Sequence, residues 1–327
     1  MPPISRRSLA ALPLLPAVAQ AQAPVQALPV WPERPIRWVV GFPPAGTADI
    51  LSRVLGERIA VRIGQPIVVE NRAGAGATLA AAITAQSRGD RHMVMVNNVS
   101  HAISPALFPN LTYDAYADFT HVGILGSLPM VIAVNPAFPA QDIQAFLSAA
   151  RSQGSRLTIA YGGNATASHL VGISFQRAAG IEPTFVPYRG AGPALTDVIA
   201  GNVAAIIETL PAAMGHIRSG RLRALAVSSP TRSVVLPDVP NVAELGLGEA
   251  MAVNWFNFFL PAGAPAALTE RWLVELRTVI ATPEIQRRFA DLGLEGTDLE
   301  PAAAGKLVRD ELARWRTVVR ANDVKAD

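Results

Sequence analysis

Two stretches of this 327-residue chain have the residue types to hold a small anion. Phe42-Pro43-Pro44-Ala45-Gly46-Thr47-Ala48-Asp49 ends a short β-type run and opens a run with helical spacing. Gly162-Gly163-Asn164-Ala165-Thr166-Ala167-Ser168-His169 does the same in mid-chain. Such loops aim backbone N–H groups and the positive end of a helix dipole beyond the strand, which suits a carboxylate. Small side chains let a ligand approach the backbone closely. The plain alternative is that both loops only cap helices.

Other chemistries lack a constellation. Gly74-Ala75-Gly76 imitates a dinucleotide fingerprint, but Leu79 stands where the third glycine belongs. No suitably placed acidic residue follows, so a plain turn is expected. The five histidines, His92, His101, His121, His169 and His216, never pair at i+3 or i+4. A metal site therefore has no local support. There is no G-x-S-x-G elbow and no cysteine, which removes two routes to nucleophilic catalysis. No catalytic residue, cofactor or metal is expected.

Around the two loops the chain alternates between strand and helix. Strands are expected at 36–41, 67–69, 93–96, 130–134, 157–161, 184–186, 204–207 and 223–227. Helices are expected from Ala48 and at 77–86, 141–151, 168–179, 193–200 and 211–219. Strands separated by helices of about ten residues indicate parallel α/β sheets. The Pro- and Gly-rich stretch 230–248 reads as a surface return between two sheets. From Leu268 onwards the pattern is helical, broken at Pro283 and Pro301. Ligands of parallel sheets sit at the carboxyl ends of strands, where both loops lie.

Composition sets the class. Half of the residues are apolar and 16% charged, with a formal net charge of +3. Basic residues are scattered and aromatics few, so no nucleic-acid groove is indicated. The N-terminus reads as a signal peptide: Arg6-Arg7, an apolar stretch from Leu9 to Val18, then A-x-A sites cut after Ala19 or Ala21. Ser5-Arg6-Arg7-Ser8-Leu9 also resembles a twin-arginine signal. A periplasmic location is expected.

Longer ordered motifs carry a family resemblance. They are Trp31-Pro32-Glu33-Arg34-Pro35-Ile36-Arg37, Phe42-Pro43-Pro44-Ala45-Gly46 with Asp49, and 64–76 (GQPIVVENRAGAG). His169-Leu170, Val186-Pro187-Tyr188-Arg189-Gly190, 216–227 (HIRSGRLRALAV), 236–240 (LPDVP) and 261–265 (PAGAP) follow. From Trp31 to the C-terminus the chain resembles the Bug-type substrate-binding proteins of tripartite tricarboxylate transporters.

The resemblance implies an α/β, two-domain, type II Venus-flytrap fold with a ligand cleft between domains. Residues 1–23 would be the signal peptide, 24–128 with 229–327 one domain, and 129–228 the other. It implies a monomer that captures a small carboxylate (a dicarboxylate, a citrate-like, amino or aromatic acid) for membrane permease subunits. Carried over, one wall is Phe42, Pro44, Ala45, Gly46 and Asp49. The other is Gly162, Gly163, Asn164, Thr166, Ser168 and His169. Asn97, Ser100, Tyr188, Arg189, Glu208 and Trp255 lie in segments bordering the cleft. Ala45 replaces a usual glycine and Glu208 a usual aspartate. A signalling protein that presents its loaded form to a sensor is the alternative role.

Overall fold

A computed structural model describes residues 31–44, 46–163, 166–322 and 324. The expected signal peptide, Ala45 and Asn164 lie outside the described residues. In chain order the elements are β1 (Ile36–Val40), α1 (Thr47–Ile63), β2 (Ile67–Asn71), α2 (Thr78–Gln86), β3 (Met93–Asn98), α3 (Ser100–Leu107) and β4 (Phe119–Val134). Then come α4 (Ile143–Gln153), β5 (Thr158–Tyr161), α5 (Ala167–Ala179), β6 (Thr184–Pro187), α6 (Ala191–Ile199), β7 (Ala205–Thr209), α7 (Leu210–Arg218) and β8 (Arg223–Val227). β9 (Val253–Pro261), α8 (Ala266–Ile280), α9 (Pro283–Asp291) and α10 (Pro301–Ala321) complete it.

Local chemistry explains the boundaries. α1 buries Leu51, Leu55 and Ile59 along one face and stops where Gly64 turns left-handed at φ 71°. Asp142 caps α4 by accepting from Ala145 N, and Thr282 caps α9 ahead of Pro283. β3 is buried along its whole length, as a strand covered on both faces must be.

The strands run β2-β1-β3-β9-β4-β7-β5-β6, with β8 also on β4. β1 is parallel to β2 and β3, and β5 to β6 and β7. The two expected sheets are thus joined through β4, and they are mixed rather than wholly parallel. β4 leaves one lobe for the other and β9 returns, so the two run antiparallel where they pair. In the first lobe β4 pairs with β9 up to Pro129. In the second it pairs with β7 and β8 from Met130 onwards.

Ser228 stitches this crossing. Its N–H donates to Met130 O, and its hydroxyl accepts from Met130 N and donates to Ala252 O. Ala252 N returns a bond to Ser228 O. The segment after Ser228 packs on the second lobe: Val227 N donates to Pro240 O, Val242 N donates to Val227 O, and the turn Gly248–Ala250 lies against α5.

One apolar core follows a single face through both lobes, from Met95 and Ile103 to Ile159, Leu170 and Phe175. The opposite face has two separate cores. Trp38, Phe258 and Trp272 anchor the one under α1 and α8. Val198, Ile206 and Leu210 anchor the one under α6 and α7.

Candidate ligand cleft

The register brings the two loop sets face to face. Asn98, at the end of β3, pairs with Phe256, which pairs with Gly126 of β4. Thr209, at the end of β7, pairs with Met130. Four residue steps of strand separate Gly126 from Met130, about 13 Å at the usual rise. The carboxyl ends of β1 and β3 therefore point along β4 towards those of β5 and β7.

On the first-lobe wall, Gly46 precedes α1 with no side chain capping the first turn. Phe42 is half-buried and Pro44 exposed. Asp49 is 3% exposed and fully engaged. Arg53 Nε donates to its Oδ2 at 3.0 Å and Asn71 Nδ2 to its Oδ1 at 2.9 Å. Asn71 Nδ2 also reaches Phe42 O at 2.9 Å. Asp49 thus holds the shape of the loop through Asn71.

Asp49→Ala should therefore loosen the 42–46 loop and weaken ligand binding. The lost buried hydrogen bonds should cost about 1–3 kcal/mol of stability. Urea denaturation and calorimetry read the two effects, and Asp49→Asn should retain part of each. A wild-type affinity in Asp49→Ala would remove the loop from the site.

The second-lobe wall is more closely built. Thr166 caps α5, accepting from His169 N, while its hydroxyl donates to Gly163 O at 2.6 Å. Ser168 Oγ lies 2.9 Å from Thr166 Oγ1 and accepts from Gly162 N at 3.3 Å. Gly163 has φ +135°, a conformation that suits glycine. His169 stacks on Tyr161 with centroids 4.6 Å apart. Burial lowers its pKa and favours the neutral ring.

Glu208 lies beneath this loop, 7% exposed. Thr209 N donates to its Oε1 at 2.8 Å. The Gly162 N–H and the hydroxyls of Ser168 and Thr209 also stabilise its charge, yet burial dominates and raises the carboxyl pKa. A Cβ on Gly162 would collide with Glu208 Oε2.

Three bordering candidates are turned elsewhere. Asn97 is 0% exposed. Its Nδ2 lies 3.3 Å from His101 Nδ1, and its Oδ1 accepts from Asn98 N. Tyr188 donates to Asp197 Oδ2 at 2.6 Å, and burial followed by Asp197 pushes its pKa up to about 12. Trp255 is buried at the crossing. Ser100 is buried in the first turn of α3, its N–H taken by Asn98 Oδ1, and Arg189 is exposed. Arg53, Asn71, Asn98 and Thr209 are the supporting residues that the sequence reading missed. Arg53 had a visible cue in its i+4 spacing from Asp49.

The description of tripartite tricarboxylate transporter family receptors matches residues 51–324. This chain belongs to that receptor family. It is 34% identical over 321 residues to BugT of Bordetella pertussis, covering 98% of each chain. The solved periplasmic binding protein BugD superposes with a TM-score of 0.76 at 28% identity, covering 90% of this chain and 99% of that one. MatC of Rhodopseudomonas palustris, solved with bound malate, gives 0.75 at 31% identity, covering 88% and 100%. The two-domain Venus-flytrap fold of periplasmic binding proteins is thereby this receptor's fold. Among the described residues no helix is long and apolar enough to cross a membrane.

Proposed function

We propose that this receptor is an exported, monomeric binding protein that captures a small carboxylate between its lobes. It delivers the acid to the membrane permease subunits of a tripartite tricarboxylate-type transporter. The observation that carries the reading is the confrontation of helix starts: α1 and α3 from one lobe, α5, α6 and α7 from the other. Their backbone N–H groups and dipoles favour an anion in the gap. The malate held by MatC supports a carboxylate as that anion. A ligand touching both lobes stabilises the closed form by its differential affinity for it.

The test is native mass spectrometry on protein from the periplasm of a Gram-negative host, followed by thermal-shift screening. The mature chain should begin at Gln20 or Gln22 and retain an organic acid. Malate, citrate, glutamate and benzoate form the first screening set, each beside its amide or ester. An acid should stabilise the receptor and its neutral analogue should not. Equal stabilisation by both would rule out an anion site, and intact Met1 would rule out export.

A further inference from the structure

Glu208 puts a second carboxyl group where the proposed ligand carboxylate would bind, and the inference below rests on that binding reading. Three helix starts converge on it. The first turn of α5 supplies the Ser168 hydroxyl, the α7 cap supplies the Thr209 N–H and hydroxyl, and the loop supplies the Gly162 N–H. The start of α6 is also close: a Cβ on Gly162, the position Glu208 Oε2 crowds, would lie 3.3 Å from Ala191 N. Donors that would otherwise face the cleft are therefore spent on the protein's own acid.

Among the described residues Glu208 makes no salt bridge. Its β4 neighbour is Val131. The titratable groups on the elements packed against β7 are His121 on β4, Tyr161 on β5, His169 and Arg177 on α5, Asp197 on α6, and His216 and Arg218 on α7, with Tyr188 and Arg189 following β6. His169 is stacked on Tyr161, and Tyr188 is bonded to Asp197. Two carboxylates drawing on one set of donors in a buried site cannot both stay ionised without a large penalty.

We propose that the ligand carboxylate and Glu208 share a single negative charge, so that capture of the acid draws one proton from solvent onto Glu208. The proton lies on Glu208, facing the ligand oxygen or the Ser168 hydroxyl. Glu208 then releases donors of the Gly162–Ser168 loop to the ligand. Affinity thereby falls as pH rises, by up to about tenfold per unit where one full proton is taken up.

The test is calorimetry with malate, and with the acid that the thermal screen ranks first, from pH 5.5 to 9. Phosphate and Tris differ in ionisation enthalpy, so the difference in measured heat reports proton uptake directly. Wild type should take up close to one proton somewhere in this range. Glu208→Gln should take up none, bind with flat pH dependence, and exceed wild-type affinity at pH 9 by tenfold or more. Glu208→Asp keeps an acid and should keep the uptake, which separates loss of the proton from loss of the fold. Binding without uptake in wild type, or equal uptake in Glu208→Gln, overturns the shared charge and leaves the carboxylate reading standing. Failure of every acid to bind overturns both.

Discussion

Replacing Gly163 with valine is expected to weaken ligand binding by 10–100-fold, roughly 1.4–2.8 kcal/mol, in a protein that remains folded. Gly163 stands at φ +135°, where a β-branched residue is strained by about 1–3 kcal/mol. Its Cβ would also meet Tyr188 O at 3.4 Å and Thr166 Cγ2 at 3.6 Å. The loop cannot shift inward to relieve this, because Glu208 already fills the space beside Gly162. The strain must move the loop outward, and the Thr166–Gly163 bond that shapes the start of α5 goes with it. The fold should survive, since Gly163 is half-exposed and outside the cores. Calorimetry reads the affinity and circular dichroism the melting point. Gly163→Ala should fall between, sharing the backbone strain without the branch. Wild-type affinity in Gly163→Val would place the ligand elsewhere.

The second large effect is loss of stability in mild acid. His101 and His121 lie near Phe259, and burial lowers both pKa values to about 4 from an ordinary 6.5. His101 Nε2 donates to Ala115 O at 2.8 Å, which leaves Nδ1 to accept from Asn97. A second proton would sit on Nδ1, against the Asn97 amide, in an apolar surround. The unfolded chain therefore binds protons first. The stability these two rings contribute is fully present above pH 6.5 and is lost as pH drops from 6.5 towards 4. For His101 the full loss is about 3 kcal/mol. Glu208 acts with the opposite sign. Its folded pKa is raised, so it erodes stability as pH rises above its ordinary value of 4.5. Urea titrations at pH 7.5, 6, 5 and 4.5 should show a falling midpoint, with a shallower fall in His121→Phe. A fall equally steep in wild type and in His121→Phe would show that the His121 ring is not held neutral.

Much of the fold was legible because parallel βαβ units write themselves locally: an apolar run, a small-residue loop, then a helix of one buried face. The loops at 42–46 and 162–169 were expected after β1 and β5 for that reason. Three elements were not. β9 is nearly continuous apolar sequence without alternation, and its antiparallel return makes no local signal. The first half of β4 is interrupted by bulges near Gly123 and Gly126 and by Pro129. α3 carries Pro105 and a polar start. Side-chain direction was the other gap. Asn97 and Tyr188 stand at the right ends of the right strands, but whether each faces cleft or core depends on tertiary partners. Asn71 supports Asp49 from 22 positions away, a distance at which sequence spacing says nothing.

The single strand β4 belongs to the hydrogen-bonded ladders of both lobes, and one core runs beneath both. Melting either lobe strips partners from a strand the other still needs. The lobes consequently form one cooperative unit that loses structure in a single calorimetric transition, and two resolved heat peaks would contradict this. A fragment cut at Ser228 would keep half of a ladder and expose its edge to other chains. Any rotation of one lobe against the other would therefore fall on the few residues around Pro129 and Met130 and on the Ser228–Ala252 crossing beside them, twisting a shared strand without breaking it.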